Sequence, residues 1–209
     1  MSEDARGGGG RPGTQLVIIS GPSGVGKDTI IEALRGRPRM RDSHFVVTCT
    51  TRGRRPGEVD GVDYHFLSPE RFRRLEDAGE LLEANEVHGN RYGTPRAEVA
   101  RALADGRDVI LKIDVQGAQD VKERVPEAVL IFVVPPSNEA LVERLRARAT
   151  ESAEELEIRQ RNAAVELALQ DVYDYSVVNE TGQVARTAER IEEIIASERE
   201  AHLDRQVVV

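Results

Sequence analysis

The 209-residue chain has no tryptophan, one cysteine and only three lysines, and each shortage narrows what it can be. Cys49 has no partner within the chain, so an internal disulfide is excluded, and a reducing cytoplasm is the expected compartment. No stretch approaches the roughly 20 consecutive apolar residues of a membrane span, so no membrane partner is expected. The four histidines (His44, His65, His88 and His202) are scattered without metal-ligand spacing. Lysine is confined to Lys27, Lys112 and Lys122, so almost all positive charge is arginine. A phosphate site could then be built largely from planar, bidentate arginine donors. The formal net charge of −8 argues against nucleic acid or an anionic membrane binding the surface as a whole, but permits a local basic cleft.

What is present reads as an α/β chain. Residues 1–13 are glycine-rich and polar, lack a signal-peptide core, and are expected to form a flexible tail before a single domain over 14–209. Short β-branched apolar runs at 15–20, 45–48, 109–113, 129–134 and 175–178 predict buried parallel strands. Helical stretches are expected at 28–35, 69–78, 95–105, 118–124, 138–148, 151–171 and 185–201. Strands alternating with helices predict a central parallel sheet covered on both faces, a three-layer arrangement. Residues 50–64 are polar, with Gly, Pro and Arg, and read as an exposed functional loop. Residues 80–90 suggest a small, partly β insert.

The strongest motif is Gly21-Pro22-Ser23-Gly24-Val25-Gly26-Lys27, which fits G-x-x-x-x-G-K between a strand and a helix. Its glycines let successive backbone N–H groups turn toward one anion, the helix N-terminus adds positive potential, and the lysine reaches the outer phosphates. The motif asks next for Ser or Thr, whose hydroxyl binds Mg²⁺. This chain has Asp28, then Thr29. An aspartate could ligate Mg²⁺ itself or through water, but it also sets a negative charge beside phosphates.

A second group lies in Thr50-Thr51-Arg52-Gly53-Arg54-Arg55-Pro56-Gly57-Glu58, with Asp63-Tyr64 and then Gly89-Asn90-Arg91-Tyr92-Gly93-Thr94 following. Two guanidiniums, Arg52 and Arg55, with two phenols, Tyr64 and Tyr92, suit a phosphomonoester. Together with the glycine-rich loop and Ile113-Asp114-x-Gln116-Gly117, these four motifs in order resemble the guanylate kinase family over roughly residues 16–195. The resemblance implies a P-loop NTPase fold with a GMP-binding insert over about 46–95 and a helical lid over about 144–169, the core being 14–45, 96–143 and 170–209. It implies transfer of the γ-phosphate of ATP to GMP, and to dGMP, with Mg²⁺, within purine nucleotide metabolism. Arg52, Arg55, Tyr64 and Tyr92 would grip the GMP phosphate, with Glu58, Gly93 and Asp114 in the same site. Glu83 would read guanine, with Thr48 and Thr94 as hydroxyls near the base. A carboxylate accepts from both N1–H and the 2-amino group of guanine, whereas adenine presents a lone pair at N1.

By the same resemblance Arg144, Arg148 and Arg159 are lid arginines reaching across ATP, and Asn179 lies near the adenine. Lys27, Arg148, Arg159 and Mg²⁺ would stabilise the migrating phosphoryl while Arg52 holds the acceptor, with no obligatory general base. Closure of lid and insert would keep water out. A second departure accompanies Asp28: the family usually has an acidic residue two before the aspartate of I-D-x-Q-G, and this chain has Lys112. Both odd residues fall at positions expected to be neighbours, which predicts a Lys112–Asp28 pair. Two other readings stay open at this stage. One is a guanylate-kinase-like binding module without catalysis. The other is a ribose 1,5-bisphosphate phosphokinase, some of which carry Asp after the loop lysine.

Overall fold

A computed structural model describes residues 10–87, 89–147 and 153–209. In chain order the elements are β1 (Leu16–Ser20), α1 (Lys27–Arg35), β2 (His44–Phe45), β3 (Cys49–Thr50), β4 (His65–Phe66), α2 (Pro69–Asp77), β5 (Leu81–Val87), β6 (Asn90–Pro95), α3 (Arg96–Ala104), β7 (Val109–Lys112), α4 (Val115–Arg124), β8 (Val129–Val134), α5 (Asn138–Ala147), α6 (Ala153–Leu167), β9 (Tyr175–Val178) and α7 (Val184–Ala201).

Five strands form the main sheet in the order β2-β7-β1-β8-β9, every pair parallel. The glycine-rich loop therefore leaves the central strand. Alternation along β1 shows why the sheet needs cover on both faces. Leu16 and Ile18 enter a core with Leu111, Val121 and Leu130, while Val17 and Ile19 enter a second core with Ile30, Leu34 and Ile191.

The remaining strands make a separate small sheet, β4-β3-β6-β5, whose β5–β6 hairpin turns through Gly89 at φ 73°. Its own core is Cys49, Phe72 and Leu81. The expected strand at 45–48 is thus wrong in extent. Phe45 ends β2, and Val46–Thr48 carry the chain out of the large sheet so that Cys49 and Thr50 can pair with Gly93 and Tyr92. The glycine-rich start also differs from a tail running to residue 13. Gly10 is buried and donates to Val207 O, Arg11 N donates to Leu103 O, and Gly13 N donates to Arg205 O. No helix among the described residues is long and apolar enough to cross a membrane.

Candidate active site

The loop after β1 is shaped by what it must leave room for. Gly26 sits at φ 101°, and a Cβ there would lie 2.7 Å from Nδ2 of Asn179, so only glycine fits the turn into α1. Gly26 is also the cap of α1 and offers no side chain to the first-turn N–H groups. Those donors lack intrahelical acceptors and carry the positive end of the helix dipole. Lys27 folds back over the loop, its Nζ donating to Gly21 O at 2.5 Å and Pro22 O at 3.1 Å. Burial lowers its pKa, against the pull of Glu166, Asp28 and Asp114.

One partner of this loop was not foreseen. Glu166, near the end of α6, accepts a hydrogen bond from the backbone N–H of Ser23 at 3.0 Å. A carboxylate there takes a donor that a phosphate oxygen would use. Glu166→Gln removes the charge and keeps the shape, so ADP is expected to bind several-fold tighter to this variant in titration calorimetry without Mg²⁺.

The loop opens into a cavity of about 690 Å³ that also holds Thr48, Arg55, Tyr64, Glu83, Tyr92, Gly93, Lys112 and Asp114. A smaller cavity adjoins it, lined by Arg52 and Glu58 and sharing Asp28, Thr48, Arg55, Tyr64, Tyr92 and Lys112. Arg52 and Glu58 form a two-pronged pair, with Nη2–Oε1 at 2.7 Å and Nη1–Oε2 at 3.1 Å. Glu58 further accepts from the N–H of Arg55 at 2.7 Å, which closes the loop that carries both arginines. Tyr64 stands edge-on to Tyr92 with ring centroids 6.0 Å apart, and the Arg52 guanidinium lies 5.5 Å from the Tyr64 ring. Burial raises the Tyr64 phenol's pKa, so it stays an O–H donor at neutral pH. The expected acceptor groups are therefore together, with Glu58 organising the arginines.

Glu83 is 1% exposed, yet lines the large cavity. Thr94 Oγ1 donates to its Oε1 at 2.7 Å, and Asn85 Nδ2 donates to its Oε2 at 3.2 Å. Asn85 is in turn held by Asp120 of α4 at 2.8 Å, a brace with no local sequence signal. Gly117 lets α4 come this close, because a Cβ there would sit 3.0 Å from Glu83 Oε2. Asp114 caps α4 by accepting from Gly117 N at 2.9 Å, which fixes that glycine. Burial pushes the Glu83 carboxyl up to about 7, against the lowering effect of the Thr94 hydroxyl.

The Lys112–Asp28 pair is present, Nζ to Oδ1 at 2.6 Å. Other residues expected on the nucleotide side bond the loop itself. Arg144 donates to Val25 O at 3.1 Å and Asn179 O at 2.9 Å rather than facing the cavity. The Asn179 side chain likewise donates to Val25 O at 2.8 Å and accepts from Thr187. Both brace the back of the loop. Thr29 returns its hydroxyl to Gly26 O at 2.8 Å and lies outside the cavity, as does Pro22, whose carbonyl holds Lys27. Arg148 and the side chain of Arg159 lie outside the described residues.

With this geometry, the comparison with known proteins is direct. The sequence model of the family described as "Guanylate kinase" matches residues 13–204. The chain belongs to the guanylate kinase family. It is 48% identical to the guanylate kinase of Symbiobacterium thermophilum over 190 residues, covering 90% of this chain and 88% of the relative. The guanylate kinase of Rhodococcus jostii is 47% identical over 179 residues, covering 85% and 84%. Among solved structures, the guanylate kinase from Anaplasma phagocytophilum superposes with a TM-score of 0.77 at 33% identity, covering 94% of this chain and 91% of that one. The guanylate kinase fold thus accounts for both sheets, and relatives of similar length span nearly the whole chain.

Proposed function

We propose that this guanylate kinase works by holding ATP phosphates on residues 21–27 and GMP between Arg52, Arg55, Tyr64, Tyr92 and Glu83. It is an ATP:GMP phosphotransferase, a nucleoside monophosphate kinase that yields ADP and GDP. One observation carries the residue assignment: a single cavity is lined by the phosphate loop at one end and by buried Glu83 at the other. An ammonium, a helix N-terminus and a carboxylate able to accept from guanine then share one chamber, as in-line transfer requires.

In this reading Lys27 leaves the carbonyls of Gly21 and Pro22 for the β- and γ-phosphates, and Arg52 and Arg55 orient the acceptor phosphate. Tyr64 and Tyr92 donate to its remaining oxygens. Glu83 accepts from guanine N1–H and the 2-amino group, with Thr48, Gly93 and Thr94 around the base and Asp114 holding the adjoining helix. Arg148 and Arg159 would reach the transferring group from the lid, while Arg144 and Asn179 keep the loop in shape. A magnesium ion fits the donor set: Mg²⁺ takes one or two carboxylates plus substrate phosphates, and Asp28 and Asp114 both line the cavity. Asp28 would hold it, directly or through water. Bound there, the ion would neutralise charge developing on the phosphates. The reaction is assigned to the cytoplasm, where Cys49 stays reduced.

Family membership and an intact loop lysine favour a kinase over a silent binding module, and Glu83 favours a guanine nucleotide over a sugar bisphosphate. A coupled assay of ADP release decides this: ADP should appear with Mg·ATP plus GMP or dGMP, and not with AMP. ADP release with ribose 1,5-bisphosphate and none with GMP would overturn the assignment.

A further inference from the structure

Lys112 ends β7, level with Ile19 of β1, two residues before the chain enters the phosphate loop. Its position is therefore set by the sheet and not by a mobile loop. The ammonium lies 2.6 Å from Asp28 and 5.1 Å from the centroid of the Tyr64 ring. It lines both cavities, the one holding Lys27 and the one holding Arg52 and Arg55. It thus stands on the wall between the donor loop and the acceptor grip.

A charged group in such a place needs a reason. Its positive charge is paired with the Asp28 carboxylate beside it. A lysine ammonium carries three N–H donors, and one carboxylate cannot take them all. Asp28 is the more exposed partner, its side chain 63% accessible against 21% for Lys112. Asp28 therefore does not need Lys112 to be tolerated, whereas Lys112 is held in place by Asp28. An aspartate among anion-binding groups opposes phosphate unless it serves a cation, and the cation it touches in this structure is Lys112.

We propose that Lys112 is a further catalytic residue of this site, a ligand for the GMP phosphate as it accepts the transferred group, and that Asp28 is its positioning residue. In the transfer, the acceptor oxygen forms a bond to the γ-phosphorus as the bond to the β,γ-bridging oxygen breaks. Lys112 adds positive charge on the acceptor side opposite Lys27. This rests on the kinase reading above.

The test uses the whole chain and two readouts: GMP affinity by calorimetry without ATP or Mg²⁺, and steady-state kcat. Lys112→Met should weaken GMP about tenfold and lower kcat about 30-fold or more, and Lys112→Arg should recover most of the affinity. Asp28→Asn decides the positioning role by its sign. Removing a nearby negative charge would by itself tighten GMP; loss of positioning should weaken it several-fold. In the Lys112→Met background the same change should no longer weaken GMP. Thermal melts within a few degrees of wild type show that the variants are folded. Tighter GMP binding by Asp28→Asn overturns the positioning role, and a less than threefold effect of Lys112→Met on both readouts overturns the whole proposal. If the wild type binds GMP but releases no ADP, the kinase reading fails instead, and the calorimetry still judges Lys112 as a GMP ligand.

Discussion

Lys27→Met is expected to reduce phosphoryl transfer by about 10³-fold or more while the protein stays folded. Among the described residues the ammonium bonds the loop's own carbonyls, at Gly21 and Pro22. Its burial lowers its pKa, so the charge is not a stabilising feature of the free protein. Methionine keeps the length and apolar stem and removes the charge that must follow the phosphoryl group. The loop itself is held by other means: Val25 O accepts from Asn179 and Arg144. The check is a paired measurement, ADP release with GMP and a thermal melt. Activity within tenfold of wild type would remove Lys27 from the mechanism, whatever the melt shows.

The second large effect is expected at Glu83. In Glu83→Gln the amide NH₂ faces a guanine donor that the carboxylate would have accepted. The loss in kcat/KM for GMP should reach about 10³–10⁴-fold, with much of the discrimination against AMP gone. The carboxylate also sets two pH dependences. Its pKa stands near 7 in the folded protein against an ordinary 4.5. Between those values the folded state binds the extra proton, so stability falls as pH rises through this window and levels off above 7, a cost on the order of 3 kcal/mol. Glu83→Gln should abolish that slope in denaturant titrations. Guanine binding needs the ionised form, so GMP affinity should fall about tenfold per pH unit below 7. GMP's own phosphate also titrates near there, and the difference between wild type and Glu83→Gln isolates the carboxylate. A wild-type affinity that follows the Glu83→Gln curve at every pH would remove Glu83 from base recognition.

The parts of this site that were legible in the sequence are those whose chemistry is local. The run Leu16–Ser20 followed by glycines and Lys27 places strand, turn and helix by short-range rules. The Lys112–Asp28 pair was also legible, because both charges depart from the family pattern at positions that are neighbours in P-loop folds. What escaped is long-range satisfaction of polar groups. Residues 45–48 are β-prone, but Val47 N is taken by Glu98 of α3 and Thr48 O by His65 N, and both pull the chain away from the large sheet. Arg144 and Asn179 are expected near ATP because they match family positions. Both also donate to the carbonyl of Val25, more than a hundred residues away, and that contact has no sequence signature. Glu166 looked like one more charge on a charged helix, and only its distance to Ser23 N marks it out.

The solitary cysteine has a use outside catalysis. Cys49 is 1% exposed in β3, its Sγ donates to Gly93 O at 3.2 Å, and burial together with Glu83 pushes the thiol up to about 12. It is therefore inert while β3 and β6 are zipped together. With no second thiol in the chain, the pace at which a sulfhydryl reagent is consumed counts separations of the small sheet, one molecule at a time. A slower pace with GMP bound would measure directly how firmly the acceptor clamps its own site shut.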